Sequence, residues 1–309
     1  RAHQSNQLYN VWHDHRHLIL KEYVKSDERH EAVDRERRAL ELVRPLGIGP
    51  ELVAWQAEPP AILYDFVPGQ MWDRTPPSEA QLGQLAAIWL RLHTVAHAGL
   101  WPSHSQATSW PEAEAFALSR VALYADWVEA FPAGHDALRL TREALKRHSD
   151  AITQLGALPV SMCFCRSDPR FANVITCPDG SLRLVDWEDS GLRDPAREVA
   201  DLLLHPNNED LLKPAHWQAF LRPYLAGQPT HDPEVGARVH WYMLVFPVWW
   251  LAEFLAWGVR RAGSGQLDGW TINDMPANQR LRRYLARALA WPAEDFSAVL
   301  ANLAGVTFF

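Results

Sequence analysis

The chain has 309 residues, and this length exceeds what one hydrophobic core usually serves, so we expect two lobes. Its hydrophobic and charged shares, 48% and 22%, are typical of globular proteins and exclude wholesale disorder. The formal net charge of −7 argues against nucleic acid as the main partner, because phosphate binding needs a clustered excess of Lys and Arg.

The N-terminal segment predicts a small sheet with one helix. Alternating apolar residues indicate strands, and an amphipathic run indicates the helix. The predicted order is strand, strand, helix, strand, strand, over residues 8–12, 18–23, 31–43, 51–55 and 61–67. Pro68 and Gly69 then end the last strand and predict a turn. We therefore expect an N-terminal nucleotide-binding lobe over residues 1–67 and a C-terminal lobe over residues 68–309.

Helical patterns dominate after this point. Ser78 and Gln81 have the spacing of a capping box ahead of an apolar helix, and further helical stretches cover residues 110–131 and 135–155. Short strands interrupt the helices once, in VSMCFCRSD, NVITC and SLRLVDWED, and a Pro-Asp-Gly turn joins the last two into a hairpin. The remainder is predicted to be helical.

The cysteines and the apolar runs bear on cellular location. Cys163, Cys165 and Cys177 are too few and too close in sequence for a secreted disulfide framework, so we interpret them as small core residues. No signal-peptide pattern is visible, and the longest apolar run, residues 242–251, is too short to span a bilayer. We expect a cytoplasmic protein with no membrane partner.

Carboxylate and amide side chains surround the predicted hairpin. Asp168 and Asn173 flank PRFA in the loop after a buried strand, and Asp186 ends the second arm of the hairpin. Phosphoryl transfer needs a carboxylate to orient and deprotonate the acceptor hydroxyl, and oxygen ligands to hold Mg²⁺ against the phosphates. These three residues supply groups of those kinds.

The stretch CRSDPRFANVITCPDGSLRLVDWEDSGLRDPAREVADL resembles the catalytic region of the aminoglycoside phosphotransferase and choline kinase family. That family has His-Gly-Asp, four residues, Asn, a hairpin ending in Ile-Asp-Trp-Glu, and a following Asp-Pro. The resemblance implies that Asp168 is the catalytic base and that Asn173 and Asp186 bind Mg²⁺. It places Asp194 and Pro195 at a helix start, which the capping preferences of Asp and Pro also predict.

The same resemblance implies an α+β, bilobal protein-kinase-like fold. It has a small N-terminal β-sheet lobe with one helix and a larger, mainly helical C-terminal lobe, with ATP and Mg²⁺ in the cleft. LILKEYV resembles the family's strand whose lysine contacts the nucleotide phosphates, which is Lys21 here. VDRERRALELV resembles the helix whose glutamate pairs with that lysine, which is Glu36 here. SNQLYNVW places Ser5 and Asn6 near the phosphates. LYDFVPG resembles the linker whose backbone binds the adenine edge, here Asp65, Phe66 and Val67.

One departure from the family pattern motivates an alternative. Arg166 and Ser167 stand where the family has His-Gly. The alternative is a catalytically weak or inactive pseudokinase that acts as a nucleotide-binding module. The enzyme is favoured by the presence of Lys21, Asp168, Asn173 and Asp186, because loss of activity is expected to remove these residues first.

The acceptor site is predicted from a helix near the C-terminus. Trp249, Glu253 and Trp257 recur at i, i+4 and i+8, so a carboxylate lies between two indoles on one helix face. Aromatic faces and an anion suit a cationic ligand, and we expect this face to lie near Asp168. Ordinary core packing of the tryptophans is the alternative. The acceptor itself stays open: an amino alcohol, a sugar, a metabolite or an antibiotic.

Overall fold

The computed structural model describes residues 6–24, 29–95, 99–102, 119, 134–147, 149–228, 232–263, 271–272 and 275–290. The chain divides into two compact units, each made of three segments. The first unit contains residues 1–105, 162–198 and 219–227, and the second contains residues 106–161, 199–218 and 228–309. The predicted helix over 110–131 lies outside the described residues except for Ser119. A lobe boundary after residue 67 stays a prediction.

The first unit contains a four-stranded antiparallel sheet. The elements of this part are β1 (Asn6–His13), β2 (Arg16–Tyr23), α1 (Arg29–Val43), β3 (Leu52–Gln56) and β4 (Ala61–Asp65). The strand order is β1-β2-β4-β3. Asp14 and His15 form the two-residue turn between β1 and β2, with φ values of 46° and 66° that match the twist of a tight hairpin. The predicted order of strands and helix is confirmed.

Helix α1 turns one face towards this sheet. Val33, Leu40 and Val43 are each at most 1% exposed, and Glu36 on the same face is 0% exposed. Their spacing of three and four residues is that of a single helix stripe. A carboxylate in such a stripe must be paired, because burying an unpaired charge is costly. The helix therefore fixes Glu36 at a position where a cation has to meet it.

Two smaller antiparallel sheets also lie in the described part of the first unit. Their strands are β5 (Gln70–Met71), β6 (Cys163–Cys165), β7 (Val174–Thr176), β8 (Leu182–Leu184) and β9 (Gly191–Arg193). The orders are β5-β7-β8 and β6-β9. The predicted hairpin is the pair β7 and β8, and one turn of 3₁₀ helix, Phe171–Asn173, carries Asn173 directly before β7. The prediction that only helix follows this hairpin is wrong at β9, a short strand that becomes visible only through its pairing with β6.

A glycine lets the chain approach β7 closely after β4. Gly69 has φ of 147°, and a Cβ there would lie 2.2 Å from the carbonyl oxygen of Thr176. Any other residue would force the backbone away from β7. The predicted break in the chain at Pro68 and Gly69 therefore has a steric cause, which is the close approach of Gly69 to β7.

Helix starts follow the predicted caps. Helix α2 (Glu79–His93) begins with the capping box of Ser78 and Gln81. Two later helices with residues in both units are α5 (Pro195–Leu204) and α6 (Trp217–Ala226). Oδ1 of Asp194 accepts a hydrogen bond of 3.0 Å from the Ala196 N–H, so Asp194 caps α5 as predicted.

The described part of the second unit is mainly helical. Its helices are α3 (Gly134–Arg147), α4 (Ser149–Ala157), α7 (Val235–Gly263) and α8 (Ala277–Ala290), so the stretch predicted over 135–155 forms two helices. A further departure from the all-helical prediction is the short antiparallel pair β10 (Thr271–Ile272) and β11 (Met275–Pro276).

Helix α7 extends well beyond the apolar run at 242–251. By length and composition its 24 residues Val235–Gly258 could cross a membrane. A core helix of a water-soluble protein passes the same test, and 78% of the apolar window of α7 is buried within the protein. This burial is what a core helix shows, and the absence of a membrane partner stays a prediction.

Candidate active site

Lys21 is the centre of a buried charge cluster in the first unit. The side chain extends from β2 and is 3% exposed. Its Nζ lies 2.6 Å from Oε2 of Glu36, 2.6 Å from Oδ1 of Asp186 and 3.1 Å from Oε2 of Glu188. The predicted pair of Lys21 and Glu36 is therefore confirmed at ion-pair distance. Burial alone would lower the pKa of Lys21, but the carboxylates outweigh it and raise the pKa well above its ordinary value.

Glu36 is held by more than the lysine. The Tyr23 hydroxyl donates to Oε2, and the Trp187 N–H donates to Oε1 over 3.3 Å. Trp187 follows Asp186 directly, so Glu36 binds both Lys21 and the backbone that carries the next carboxylate. These bonds satisfy the buried carboxylate and tie α1 to the segment after β8.

Asp186 and Glu188 lie on that segment. Asp186 has φ of 66°, a left-handed conformation that aspartate tolerates better than most residues and that is frequent at functional sites. Burial would raise its pKa, but Lys21 and then Arg170 outweigh burial and lower the pKa to about 2. Nδ2 of Asn6 donates to Oε2 of Glu188 over 2.5 Å, so the predicted phosphate-loop residue Asn6 joins this cluster. Ser5 lies outside the described residues.

Asp168 lies in the loop that follows β6, after a strained residue. Ser167 has φ of 67°. Oδ2 of Asp168 accepts a hydrogen bond of 3.0 Å from Nδ2 of Asn173. Nε of Arg170 donates hydrogen bonds to both carboxylate oxygens, over 2.9 Å to Oδ1 and 2.8 Å to Oδ2. The Val185 N–H donates 3.0 Å to the Asn173 carbonyl, which joins this loop to the strand end that carries Asp186. The predicted base and the two predicted metal ligands are thus parts of one hydrogen-bonded assembly.

The acidic groups of the assembly suit a divalent cation. One oxygen from each of Glu36, Asp186 and Glu188 lies within 4.8 Å of the others. Burial, followed by the charges of Asp168, Glu188 and Asp186, raises the pKa of Asp189 to about 7. Mg²⁺ prefers carboxylate and amide oxygens with water and phosphate as further ligands. Asp186, Glu188 and Asn173 therefore carry oxygen donors of the kinds that Mg²⁺ accepts. The carboxylates that lie close together, those of Glu36, Asp186 and Glu188, also face Nζ of Lys21.

Arg166 replaces the family histidine with a different kind of support. The side chain is 0% exposed, and Nη2 donates 2.8 Å to the Val185 carbonyl and 3.4 Å to that of Asp186. Burial lowers the pKa of this guanidinium against the pull of Asp168 and Asp186. Arg166 therefore positions the backbone of Asp186 directly, and the departure from His-Gly leaves the predicted site assembled.

A second buried network supports the catalytic loop from α2 and α5. Oε1 of Glu198 accepts a hydrogen bond of 2.7 Å from the backbone N–H of Ser167, the residue directly before Asp168. Oε2 of Glu198 accepts 2.9 Å from Nε2 of His93, and Nδ1 of His93 lies 2.9 Å from the Tyr224 hydroxyl. The buried thiol of Cys165 lies 3.8 Å from the same Nε2. Cys163 is buried too, as predicted for core cysteines, while Cys177 is half-buried.

This network predicts a loss of stability at alkaline pH. Burial would lower the pKa of His93, but the neighbouring Cys165 and Glu198 outweigh it and raise the pKa to about 9. Burial raises the pKa of the Cys165 thiol, so the negative charge is that of Glu198. The folded state keeps a proton that the unfolded state releases near pH 6.5. The stabilisation is therefore complete below pH 6.5 and is lost as the pH rises through the pKa of about 9 in the folded state.

Thermal melting between pH 6 and 9.5 checks this expectation. The parent should lose melting temperature across this interval, and His93→Gln should melt lower at pH 6 and change less with pH. His216→Gln, at an exposed position, is the matched control and should follow the parent. If the melting temperatures of the parent and of His93→Gln changed in parallel with pH, His93 would not be the protonated partner of Glu198.

The predicted adenine-binding segment is partly engaged in the sheet. The Asp65 N–H donates 3.0 Å to the Glu51 carbonyl, and the Phe66 N–H donates 3.0 Å to the His17 carbonyl. A backbone N–H that binds the adenine edge from this segment must therefore be that of Val67. The adenine contact itself stays a prediction.

The predicted acceptor residues lie on one helix, α7, in the second unit. Trp249 is buried and contacts Phe246, Glu253 is half-buried, and Trp257 is 37% exposed and contacts Phe254. Core packing therefore accounts for Trp249. Their proximity to Asp168 stays a prediction.

Sequence reasoning missed several residues of the assembly. Glu188 belongs to the Asp-Trp-Glu motif, so the motif itself could have identified it. Arg170 lies within the PRFA segment, but no sequence signal distinguishes it from a solvated arginine. His93 and Glu198 meet across 105 positions, and only the fold brings them together.

Comparisons with known proteins agree with this geometry. Residues 1–235 match the sequence profile described as "Phosphotransferase enzyme family". No curated protein sequence matches the chain.

Solved structures of kinases are similar over nearly the whole chain. A choline/ethanolamine kinase family protein from Mesorhizobium loti has a TM-score of 0.60 at 20% identity, covering 97% of this chain and 93% of that one. Macrolide 2'-phosphotransferase MphH from Brachybacterium faecium has a TM-score of 0.58 at 17% identity, covering 95% of this chain and 91% of that one. ADP-bound aminoglycoside phosphotransferase APH(2'')-Ib has a TM-score of 0.59 at 14% identity, covering 96% of this chain and 92% of that one. These likenesses establish the α+β, protein-kinase-like fold.

Proposed function

The chain belongs to the phosphotransferase enzyme family, and on this premise we propose that it moves the γ-phosphate of ATP to a hydroxyl group of a small molecule. The observation that carries the proposal is the single assembly of Lys21, Asp168, Asn173 and Asp186. Each member has the chemistry that one part of phosphoryl transfer requires. One of the similar kinase structures holds ADP, which supports an adenine nucleotide as the donor.

Lys21 and Glu36 act on the phosphates of the donor. A lysine that faces three carboxylates is charged, and Glu36 and the Tyr23 hydroxyl keep the pair in place. Mg²⁺ held by Asp186, Glu188 and Asn173 would neutralise charge on the donor phosphates. Lys21 would then orient the triphosphate, because positioning and charge neutralisation supply most of the catalysis in this reaction class.

Asp168 acts on the acceptor. Its carboxylate accepts a hydrogen bond from the acceptor hydroxyl and holds the oxygen in line with the γ-phosphorus. The acceptor oxygen bonds to phosphorus while the bond to the β,γ-bridging oxygen breaks, and ADP leaves with that electron pair. The hydroxyl proton passes to Asp168. The positive φ of Ser167 and its N–H bond to Glu198 fix the loop that presents the carboxylate.

Acceptor chemistry follows from charge. The excess of carboxylates around Asp168 favours a neutral or cationic acceptor over an anionic one, because an anion would be repelled and desolvated. Helix α7 offers Glu253 and Trp257 as partly exposed groups suited to a single cation. Because Glu253 is the single carboxylate of the predicted face of Trp249, Glu253 and Trp257, we place amino alcohols ahead of polycationic antibiotics.

The experiment is an acceptor screen read by ADP release with MgATP. The panel contains amino alcohols, aminoglycosides, macrolides and simple sugars, and water serves as the blank. We expect acceptor-dependent ADP release from at least one hydroxyl compound, with a phosphate ester as the product. Tight MgATP binding with no release across the panel would favour the inactive nucleotide-binding module instead.

A further inference from the structure

Four side chains with metal-binding atoms meet in the core of the first unit. Sγ of Cys163 lies 3.7 Å from Sγ of Cys165, which lies 3.8 Å from Nε2 of His93. The two sulfurs and a ring nitrogen of His93 are all within 4.8 Å of one another. Oε2 of Glu198 approaches Nε2 of His93 to 2.9 Å. All four residues are buried, and none of them belongs to the carboxylate cluster around Lys21.

Three elements of the fold bring these side chains together. Cys163 and Cys165 are the first and last residues of β6, and side chains two positions apart on a strand point to the same face. His93 is the last residue of α2, and Glu198 lies in the first turn of α5. These segments are distant in sequence, so a search for closely spaced zinc ligands does not find the cluster.

The distances agree with those of a tetrahedral zinc site. Zinc binds sulfur at about 2.3 Å and nitrogen at about 2.0–2.1 Å, which places two sulfurs about 3.8 Å apart and a sulfur and a nitrogen about 3.6 Å apart. The observed separations of 3.7 and 3.8 Å are close to these values. A nitrogen and an oxygen on zinc are about 3.4 Å apart, so Glu198 needs only a small movement from its 2.9 Å.

The neighbours of the cluster orient its ligand atoms. Nδ1 of His93 lies 2.9 Å from the Tyr224 hydroxyl, so Nε2 is the nitrogen that faces the sulfur and the carboxylate. Oε1 of Glu198 accepts the Ser167 N–H, so Oε2 is the oxygen that faces the cluster. Hydrogen bonds to the other ring nitrogen and to the other carboxylate oxygen are the usual supports of zinc ligands. The ligand atoms are therefore already oriented.

Hydrogen bonding without a metal is the other explanation of the cluster. The Cys165 thiol also lies 3.7 Å from the Arg193 carbonyl, and His93 can share a proton with Glu198. A thiol is a weak donor, however, and these contacts do not require a second cysteine on the same face of β6. Zinc uses all four atoms, since thiolate, imidazole and carboxylate are its common ligands. Mg²⁺ prefers oxygen ligands, so the two sites would select different ions.

We propose that this cluster is a structural Zn²⁺ site. Its ligands are His93, Cys163, Cys165 and Glu198. Four protein ligands close the coordination sphere, so the metal has no open position for a substrate. Because Glu198 also binds the N–H of Ser167, directly before Asp168, the metal would fasten β6, α2 and α5 behind the catalytic loop. The inference does not depend on the proposed function.

Zinc binding exchanges protons for the metal. Zinc takes thiolates and a neutral imidazole, so the thiol protons and the proton on His93 pass to solvent. The pH profile expected for His93 is therefore that of the protein freed of zinc. Two thiolates and a carboxylate leave a net negative charge around Zn²⁺, and the buried Arg166 is a nearby cation. Burial lowers the pKa of Arg166, and Glu198 is among the carboxylates that oppose this effect.

Metal analysis and cobalt substitution test the proposal in the whole protein. Protein from cells grown with added zinc should retain about one zinc ion per chain after dialysis against metal-free buffer. Protein from cells grown with cobalt should show thiolate-to-metal charge-transfer absorption and the intense visible bands of tetrahedral Co²⁺. A chelator that removes the zinc should lower the melting temperature by several degrees, and added zinc should restore it.

Cysteine variants assign the absorption, because the chain contains only three cysteines. Cys177→Ser changes the half-buried cysteine outside the cluster, and this matched control should keep the zinc and the charge-transfer absorption. Cys163→Ser and Cys165→Ser should lose both. If neither of these two variants folds, the control alone decides, because thiolate absorption that persists in Cys177→Ser can come only from the two cysteines of β6.

A protein that retains no zinc and shows no cobalt absorption would overturn the proposal. Cobalt bands without thiolate charge transfer would overturn it as well, since the metal would then be bound by oxygen and nitrogen elsewhere. Loss of the charge-transfer absorption in Cys177→Ser would also overturn it, because the thiolate on the metal would then lie outside the cluster.

Discussion

Replacement of Asp168 by asparagine should lower acceptor-dependent turnover by roughly a hundredfold to ten-thousandfold, because the amide cannot accept the hydroxyl proton. The change is nearly isosteric, so the loop should keep its shape and MgATP should still bind. A transition state with little bond formation to the acceptor would place the loss at the low end, since the base then acts mainly by orienting the hydroxyl. The measurement is the rate of ADP production with saturating acceptor.

The control for this substitution is Asp179→Asn. Asp179 lies in the exposed turn of the β7–β8 hairpin, and asparagine is favoured in such turns. We expect Asp179→Asn to turn over like the parent, and thermal melting should show that all three proteins are folded. Equal rates for the parent and Asp168→Asn would remove Asp168 from its role as base.

Replacement of Asp186 by alanine should abolish measurable turnover and weaken MgATP binding by 1.5 to 3 kcal/mol, roughly tenfold to more than a hundredfold. The carboxylate is the proposed metal ligand, and it also pairs with Lys21 at 2.6 Å. Its pKa of about 2 means that the parent carries this carboxylate ionised at neutral pH.

Calorimetry at fixed free Mg²⁺ measures this effect, and a Mg²⁺ titration identifies its cause. If Asp186 binds the metal, the variant should need more Mg²⁺ for the same nucleotide affinity. If Asp186 serves only to position Lys21, the Mg²⁺ requirement will be unchanged. Nucleotide affinity equal to that of the parent at every Mg²⁺ concentration would contradict both roles.

The elements that could be predicted from sequence are those set by local patterns. The pattern over 8–12 and 18–23 gave the first hairpin, because its two strands are adjacent in sequence and a two-residue turn joins them. The box of Ser78 and Gln81 gave the start of α2, because its two hydrogen bonds are local. The short strands β9, β10 and β11 carry no such pattern, and their two or three residues are defined only by pairing partners.

The candidate site divides in the same way. The resemblance to the family identified Lys21, Asp168, Asn173 and Asp186, because each matches a position of the family's motifs. The sequence did not reveal that Glu188 shares Lys21, that Arg170 holds Asp168, or that His93 reaches Glu198. These contacts depend on side-chain direction and on distant segments meeting, which composition and periodicity do not encode. The tryptophans of α7 show the opposite case, since helical spacing alone does not separate a ligand face from core packing.

Transfer of the γ-phosphate to an acceptor hydroxyl is the central claim, and γ-³²P-labelled ATP tests it most directly. The protein is incubated with labelled ATP, Mg²⁺ and each acceptor of the panel, and the products are separated by chromatography. The account predicts label in a new acceptor phosphate ester with the parent and almost none with Asp168→Asn. Label that appears only as inorganic phosphate, or an ester that forms equally with Asp168→Asn, would contradict it.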